Sequence, residues 1–250
     1  MSSLNDIPIS ALSFYLTAPY PCSYLPEMQA RSQVATPGFL INTHLYSQLI
    51  QHSFRRSGTY VYRPRCDLCR ECLQLRVITA RFTANRTQRR AWKQHHQLTA
   101  SLHPLQDKAE YYELYLRYQR ARHPDGGMDN DDHEAYQTFL LQSQVDTVLV
   151  EFRENGILRM LSVIDLLGDG LSSVYTFYEP DLPQARFGVY NVLWQIELCR
   201  KLNLNYVYLG YWIKNSRKMS YKTQYQPAEV LQNGVWTEQS IRNVQQKTDY

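Results

Sequence analysis

The chain has 250 residues, 44% of them hydrophobic and 13% aromatic, with 27 Lys and Arg against 23 Asp and Glu for a net charge of +4. That apolar content supports a packed core and excludes a disordered chain, and ten Gly with eleven Pro exclude a collagen-like polymer. The length suits one large domain or two small ones.

The first twenty residues carry neither a basic start nor a long apolar stretch, so they do not read as a signal peptide. No run reaches the eighteen apolar residues of a membrane span. A soluble, cytosolic protein without a membrane partner is expected. Residues 40–53 have helical spacing and 59–62 alternate like a strand. A cysteine loop follows, then a strand over 73–82 and a basic helix over 85–97. Eleven Lys/Arg and two acids fall in 55–93, a net of +9, which leaves −5 for the remainder.

A boundary is expected near His103-Pro104. It divides an N-terminal Cys-rich basic domain (1–103) from a C-terminal domain (104–238) and a mobile tail (239–250). Over 106–122, Tyr111, Leu114, Tyr115 and Tyr118 share a helix face. A polar loop (123–132) and a short helix (133–145) come next. Residues 147–153, 157–165 and 172–178 are β-rich. Asn155-Gly156 joins the first two as a hairpin, and Gly168-Asp169-Gly170 separates the last two. Val189, Val192, Leu193, Ile196 and Leu202 mark an amphipathic helix, and Cys199 sits on its apolar face as a small core residue. Residues 205–212 are apolar on both faces, the pattern of a buried central strand. From 105 onward the order is α-α-β-β-β-α-β-α, an α+β fold with a mixed, mainly antiparallel sheet.

Cys66, Cys69 and Cys72 are spaced C-x2-C-x2-C. Cys22 could supply a fourth thiolate for zinc or an iron–sulfur cluster. The alternative is a set of reduced thiols, and spacing does not choose, since Arg76 stands where a ferredoxin-type run has its fourth Cys. Arg86, Arg89, Arg90 and Lys93 in the basic block suit phosphate contact, with Tyr60, Tyr62 and Trp92 available to stack on bases. No helix-turn-helix, zinc-finger or RNP motif accompanies them, which favours RNA shape or RNA ends over duplex sequence.

Several longer motifs bear a resemblance. Pro21-Cys22-Ser23-Tyr24-Leu25-Pro26, Phe54-Arg55-Arg56-Ser57-Gly58 and Tyr62-Arg63-Pro64-Arg65-Cys66 are similar to the N-terminal half of the arginyl/leucyl-tRNA–protein transferases. Arg122-His123-Pro124-Asp125-Gly126-Gly127-Met128 resembles their middle. Asp169-Gly170-Leu171-Ser172-Ser173-Val174-Tyr175-Thr176-Phe177-Tyr178, Leu209-Gly210-Tyr211-Trp212-Ile213 and Lys218-Met219-Ser220-Tyr221-Lys222 resemble their C-terminal half. The likeness spans about 20–236. The cysteine pattern looks like that of the bacterial branch, the aspartate/glutamate leucyltransferases.

The resemblance implies an N-acetyltransferase-like fold of the GNAT type. It also implies an aminoacyltransferase that moves leucine from leucyl-tRNA to proteins with N-terminal Asp or Glu. The product would be read by the Clp protease adaptor and enter N-degron protein catabolism. In the arginyl branch the cysteines are associated with a cluster or zinc, and the different spacing here leaves that carry-over open. Ester-to-amide conversion runs downhill, so the transfer requires no cofactor, and no ATP-binding P-loop motif is present. Arg55, Arg56 or Arg76 would pair with the acceptor's acidic side chain. Lys218, Tyr221 and Lys222 would hold the tRNA acceptor end or that carboxylate. Asp165 would accept the amine's proton or orient it, unless it is a polar strand-end residue. Tyr175 and Tyr178 would line the leucyl pocket, although three-residue spacing on one strand points them to opposite faces.

Three rivals remain open. An arginyl-tRNA–protein transferase shares the fold. A CoA-dependent acetyltransferase would need [QR]-x-x-G-x-[GA], which Gln184-Ala185-Arg186-Phe187-Gly188-Val189 does not satisfy. A non-catalytic RNA-binding protein with a structural metal gives the C-terminal half no role.

Overall fold

A computed structural model describes residues 7–123 and 132–239. The N-terminal part contains β1 (Ser13–Leu16), β2 (Tyr20–Pro21), β3 (Gln29–Ala30) and β4 (Ser32–Thr36). Helix α1 (Thr43–Ile50), β5 (Arg55–Ser57), β6 (Tyr60–Pro64), β7 (Leu73–Ile78), α2 (Arg86–Gln94) and β8 (Thr99–His103) follow. Then come α3 (Ala109–Arg122), α4 (His133–Tyr136), β9 (Thr147–Glu154), β10 (Ile157–Leu166) and β11 (Gly170–Tyr178). The chain continues through α5 (Phe187–Lys201), β12 (Tyr206–Trp212), a 3-10 stretch (Arg217–Gln224), β13 (Ala228–Gln232) and β14 (Val235–Glu238). Most of the polar loop 123–132 and of the tail 239–250 lies outside the described residues.

The main sheet has eight strands in the order β14-β13-β7-β12-β11-β10-β9-β8, antiparallel except where β11 meets β12. It draws strands from both sides of the expected division at 103/104, since β7 lies between β12 and β13 and β8 lies beside β9. A smaller sheet runs β1-β4-β6-β5. The mixed, mainly antiparallel α+β class read from the sequence is the class observed. Between β9 and β10, Asn155 and Gly156 both have positive φ, 50° and 81°, the two-residue turn that Asn-Gly favours.

Local chemistry places the helices. Asn42 caps α1 by accepting from the Leu45 backbone N–H at 2.9 Å, and Leu45, Tyr46, Leu49 and Ile50 turn inward at helical spacing. They pack with Phe54 and Val61 of the small-sheet region and with Leu167 and Tyr208 of the main-sheet region. Asn85 and Gln88 form a reciprocal capping box at the start of α2. Helix α5 covers one face of the main sheet through Phe187, Tyr190, Leu193 and Ile196. Helix α3 covers the other through Tyr111, Leu114 and Tyr115, as its periodicity requires. The final predicted helix is the 3-10 stretch 217–224 instead. Its sequence has little apolar periodicity to dock a full helix.

Candidate functional site

Strands β11 and β12 part company soon after they meet. Their parallel pairing covers only Gly170↔Tyr206, Leu171↔Val207 and Ser172↔Tyr208, although β11 continues to Tyr178 and β12 to Trp212. Beyond that point the two facing edges have no strand between them, so backbone groups and side chains of both look into a wedge. Arg55 crosses its apex. Its guanidinium donates to the Ser173 carbonyl at 2.7 Å and to the Tyr208 carbonyl at 3.5 Å, satisfying acceptors that the parting strands leave open. Gly210 makes room for it. Its φ is +79°, and an added Cβ would lie 3.1 Å from the Arg55 Cζ.

Lys222 is the second buried cation here, and its Nζ donates to the Tyr211 carbonyl. Burial, and then the nearby charge of Arg55, brings its ammonium down to about 7. In its neutral form such an amine donates a hydrogen bond to the Tyr211 carbonyl and still offers a lone pair. Tyr221, half exposed, has its ring centroid 5.9 Å from the Lys222 Nζ, and Lys218 is exposed.

The three arginines proposed for the acceptor carboxylate therefore separate. Arg55 faces the wedge. Arg56, the next residue, points to the opposite face of β5 and is bound to Asp165 through Nε at 2.9 Å and Nη2 at 2.6 Å. It also donates to the Gly58 carbonyl and the Thr147 hydroxyl. Asp165 has no exposed surface, and Thr147 donates to it as well. With no exposed surface it is out of reach of an incoming amine, and it holds Arg56 and the β5 strand in place. Arg76 lies between the rings of Tyr206 and Trp236, 3.6 and 4.0 Å from their centroids. It is tied to Glu229 at 2.7 Å and to Gln51 and Tyr208 at 3.1 Å each. Its hydrogen-bonding capacity is largely consumed by the fold.

The two tyrosines also separate. Tyr175 packs on Phe139 and Tyr115 on the α3 face, where its hydroxyl accepts from Gln119. Tyr178 stands at the open end of β11 against Tyr118 of α3, Phe187 and Gly188 of α5. A bulge at Val174, seen as a register shift against β10, brings Ser173 and Thr176 to one face. There Asn191 donates to Thr176 at 2.9 Å, and Gln195 donates to Ser162 and Ser173. Sequence reading passed over these two amides. Their i, i+4 spacing on an otherwise apolar helix face was the available signal.

On α2, Arg86, Arg89, Arg90 and Lys93 are exposed and, among the described residues, none forms an ion pair. Trp92 is 39% exposed and packs on Tyr190. The four cysteines Cys22, Cys66, Cys69 and Cys72 line one cavity of about 150 Å³, reached from the β2–β3 hairpin and from the loop before β7. Burial first, and then the other three cysteines, push the Cys72 thiol up to about 12. The donor chemistry suits a soft metal. In this thiol form, however, no three His, Cys, Asp or Glu side chains among the described residues are grouped to hold one. A separate cavity of about 370 Å³, lined by His95, Phe187 and Gln184 among others, lies against α2 and contains none of the wedge cations.

Profiles described as the N terminus and the C terminus of arginine-tRNA-protein transferase match residues 20–90 and 110–232. The chain is 59% identical over 94% of its length to a protein of Nitrosospira multiformis named aspartate/glutamate leucyltransferase, covering 94% of that protein. It is 53% identical to one of the same name from Chromobacterium violaceum, covering 91% of this chain and 94% of that one. The chain belongs to the arginine-tRNA–protein transferase family. Among solved structures, one titled as L-PGS from Bacillus licheniformis is similar over 69% of this chain and 61% of that one, at 13% identity and a TM-score of 0.48.

Within this transferase family member, the two matched segments meet at the wedge. Arg55 lies in the N-terminal match, and both parting strands lie in the C-terminal one. The α2 arginines lie at the end of the N-terminal match. Arg89→Ala is expected to weaken tRNA binding and lower the slope of log K against log salt by about 1. Filter binding across a salt series measures it, and an unchanged slope would take Arg89 off the RNA path.

Proposed function

We propose that this chain is an aminoacyltransferase that moves leucine from leucyl-tRNA to the α-amine of a protein beginning with Asp or Glu. The observation that carries this reading is the 59% identity, over 94% of the chain, to a protein named aspartate/glutamate leucyltransferase. The geometry supports this reading. We read the parting of β11 and β12 as the opening of an N-acetyltransferase-like fold, with room for the leucyl ester and the amine side by side.

Positioning supplies much of the rate, since both reactants are large and held from several sides. Arg55 presents positive charge at the apex, for the acceptor carboxylate or for the oxyanion that forms when the amine attacks the ester carbonyl. Lys222, partly neutral, takes the proton that the amine must lose. Tyr178 and Tyr221 line the path, and the ribose oxygen takes that proton back from Lys222 and leaves with the tRNA as a hydroxyl. Helix α2 holds phosphates outside the wedge. The product, a protein with N-terminal leucine, is suited to the Clp protease adaptor. The protein works in the cytoplasm, where charged tRNA is found.

The decisive assay mixes the protein with radiolabelled leucyl-tRNA and peptides beginning with Asp, Glu, Ala or Lys, without ATP or acetyl-CoA. Label is expected on the Asp and Glu peptides only. No label there overturns the reading, and label from arginyl-tRNA instead moves the protein to arginine transfer.

The cysteine cavity is a separate matter. Its four thiols lie on the β2–β3 hairpin and the loop before β7, and we propose that they close on zinc or an iron–sulfur cluster that fastens the two. No step of the transfer passes through it. Anaerobic purification with metal analysis is expected to find zinc or iron bound in wild type and lost in Cys22→Ser/Cys72→Ser. Equal metal content in both would overturn the assignment.

A further inference from the structure

Asn191 and Gln195 stand one turn apart on the face of α5 that packs on the main sheet, beside the apolar Tyr190, Leu193 and Ile196. Leucine or methionine would fill either place with no polar atom to satisfy. Their N–H ends are used. Asn191 donates to Thr176, Gln195 donates to Ser162 and Ser173, and Ser162 and Thr176 share a hydrogen bond of 2.9 Å. Their carbonyl ends are not. Among the described residues, the Asn191 Oδ1 and the Gln195 Oε1 are both buried with no donor. Two orphaned acceptors in one enclosed polar patch cost stability, and fastening α5 to the sheet explains the N–H ends alone.

The patch adjoins the wedge. Ser173 and Thr176 are half-buried, on the length of β11 beyond its pairing with β12. The Ser173 hydroxyl meets Gln195 while its carbonyl meets Arg55 at 2.7 Å, so one residue joins the patch to the apex. Tyr178 lies over the first turn of α5, where a Cβ added at Gly188 would be 3.6 Å from its ring. Asn191 is three residues further along the same helix, so a group entering along β11 passes Tyr178 to reach the amides.

Two buried acceptors beside the reacting centre call for a small donor with several protons. Both reactants carry one, a primary amine next to a carbonyl. The attacking amine must shed a proton and keep its lone pair free. Carbonyl oxygens favour the charged form instead, so a seat of this kind suits the amine that does not react. We propose that Asn191 and Gln195 hold the α-ammonium of the leucyl group through Oδ1 and Oε1, which sets the ester carbonyl toward Arg55. This rests on the transferase reading and deepens it. Such a seat admits donors with a free α-amine and turns away N-acylated ones such as peptidyl-tRNA.

Filter binding at about pH 6, where an α-amine is charged, compares leucyl-tRNA with the same tRNA deaminated by nitrous acid, which carries 2-hydroxy-4-methylpentanoate on the same ester. Wild type is expected to bind the amine form about tenfold more tightly, the size of one charge-assisted contact. Asn191→Leu/Gln195→Met should bind both forms equally, at the wild-type affinity for the deaminated one. Asn191→Asp, which keeps an acceptor at that place, should keep the preference and reports against misfolding. Wild type binding both forms alike would leave the two oxygens to buried water and overturn the proposal. Equal weakening of both forms by the double variant would also overturn it, marking the amides as fastening α5 alone. A tenfold rise in the KM of an Asp peptide in the double variant, with the donor preference kept, would give the seat to the acceptor's amine, again against the proposal. Binding is read without transfer, so a protein that prefers the amine form but moves no leucine fails the transferase reading and keeps this seat.

Discussion

Asp165→Ala is expected to lower stability by about 3–5 kcal/mol, because it leaves the Arg56 guanidinium buried with its charge uncompensated. The pair is fully enclosed, with side-chain exposures of 2% for Arg56 and 0% for Asp165. For a chain of this size that is a fall in midpoint temperature of roughly 10 °C. The loss comes from breaking the pair and not from any intrinsic strength of ion pairs. Replacing both partners with apolar residues of similar size, Arg56→Met/Asp165→Leu, should therefore recover much of it. Thermal unfolding of the three proteins measures this. The double variant also decides what Asp165 does. If it regains stability and transfers leucine, Asp165 is a positioning residue, as its complete burial against Arg56 indicates. If it is stable and inactive, the proton-acceptor role first expected for Asp165 is correct and the geometric argument against it fails.

Lys222→Met should reduce kcat for transfer by about 100-fold, the lower range for losing a general base. Wild-type kcat should rise with pH through about 7, where the buried amine loses its proton, and the variant should lack that rise. Stability carries the same signature. The ammonium titrates at 10.5 as a free side chain and near 7 in the fold. Between those values the unfolded chain binds more protons than the native one, so this group makes stability increase with pH. Below pH 7 both states are charged and the cost of burial is fully present. Urea unfolding at pH 7 and pH 9 should show a larger gain for wild type than for Lys222→Met. A kcat profile with the same inflection in the variant would assign the titration to another group.

The residues that decide the chemistry differ in how far local sequence placed them. Two adjacent arginines on a strand must face opposite ways, so Arg55 and Arg56 could never have shared one role. Which of them meets the wedge depends on how the small sheet packs on the main one. Arg76 was plausible as a substrate ligand until Trp236, Glu229 and Gln51, all distant in sequence, enclosed it. Lys222, expected at the tRNA acceptor end or the acceptor carboxylate, is buried because the 217–224 stretch packs beside β12.

Local chemistry alone fixed the Asn155-Gly156 hairpin, the inward face of α3, the amphipathic α5 and the buried character of β12, because turn preferences and periodicity act over a few residues. It also showed the +9 block, from which a nucleic-acid partner was expected. Strands β1 and β4 were not legible, since they are short and pair only with residues well away in the chain; β13 and β14 turn at Asn233-Gly234, the same dipeptide signal as Asn155-Gly156, and were open to the same reading. The wedge was not legible either. It exists because β7 and β13 join the far side of β12 while β11 leaves it after three pairs, and only the assembled sheet determines where two strands stop pairing.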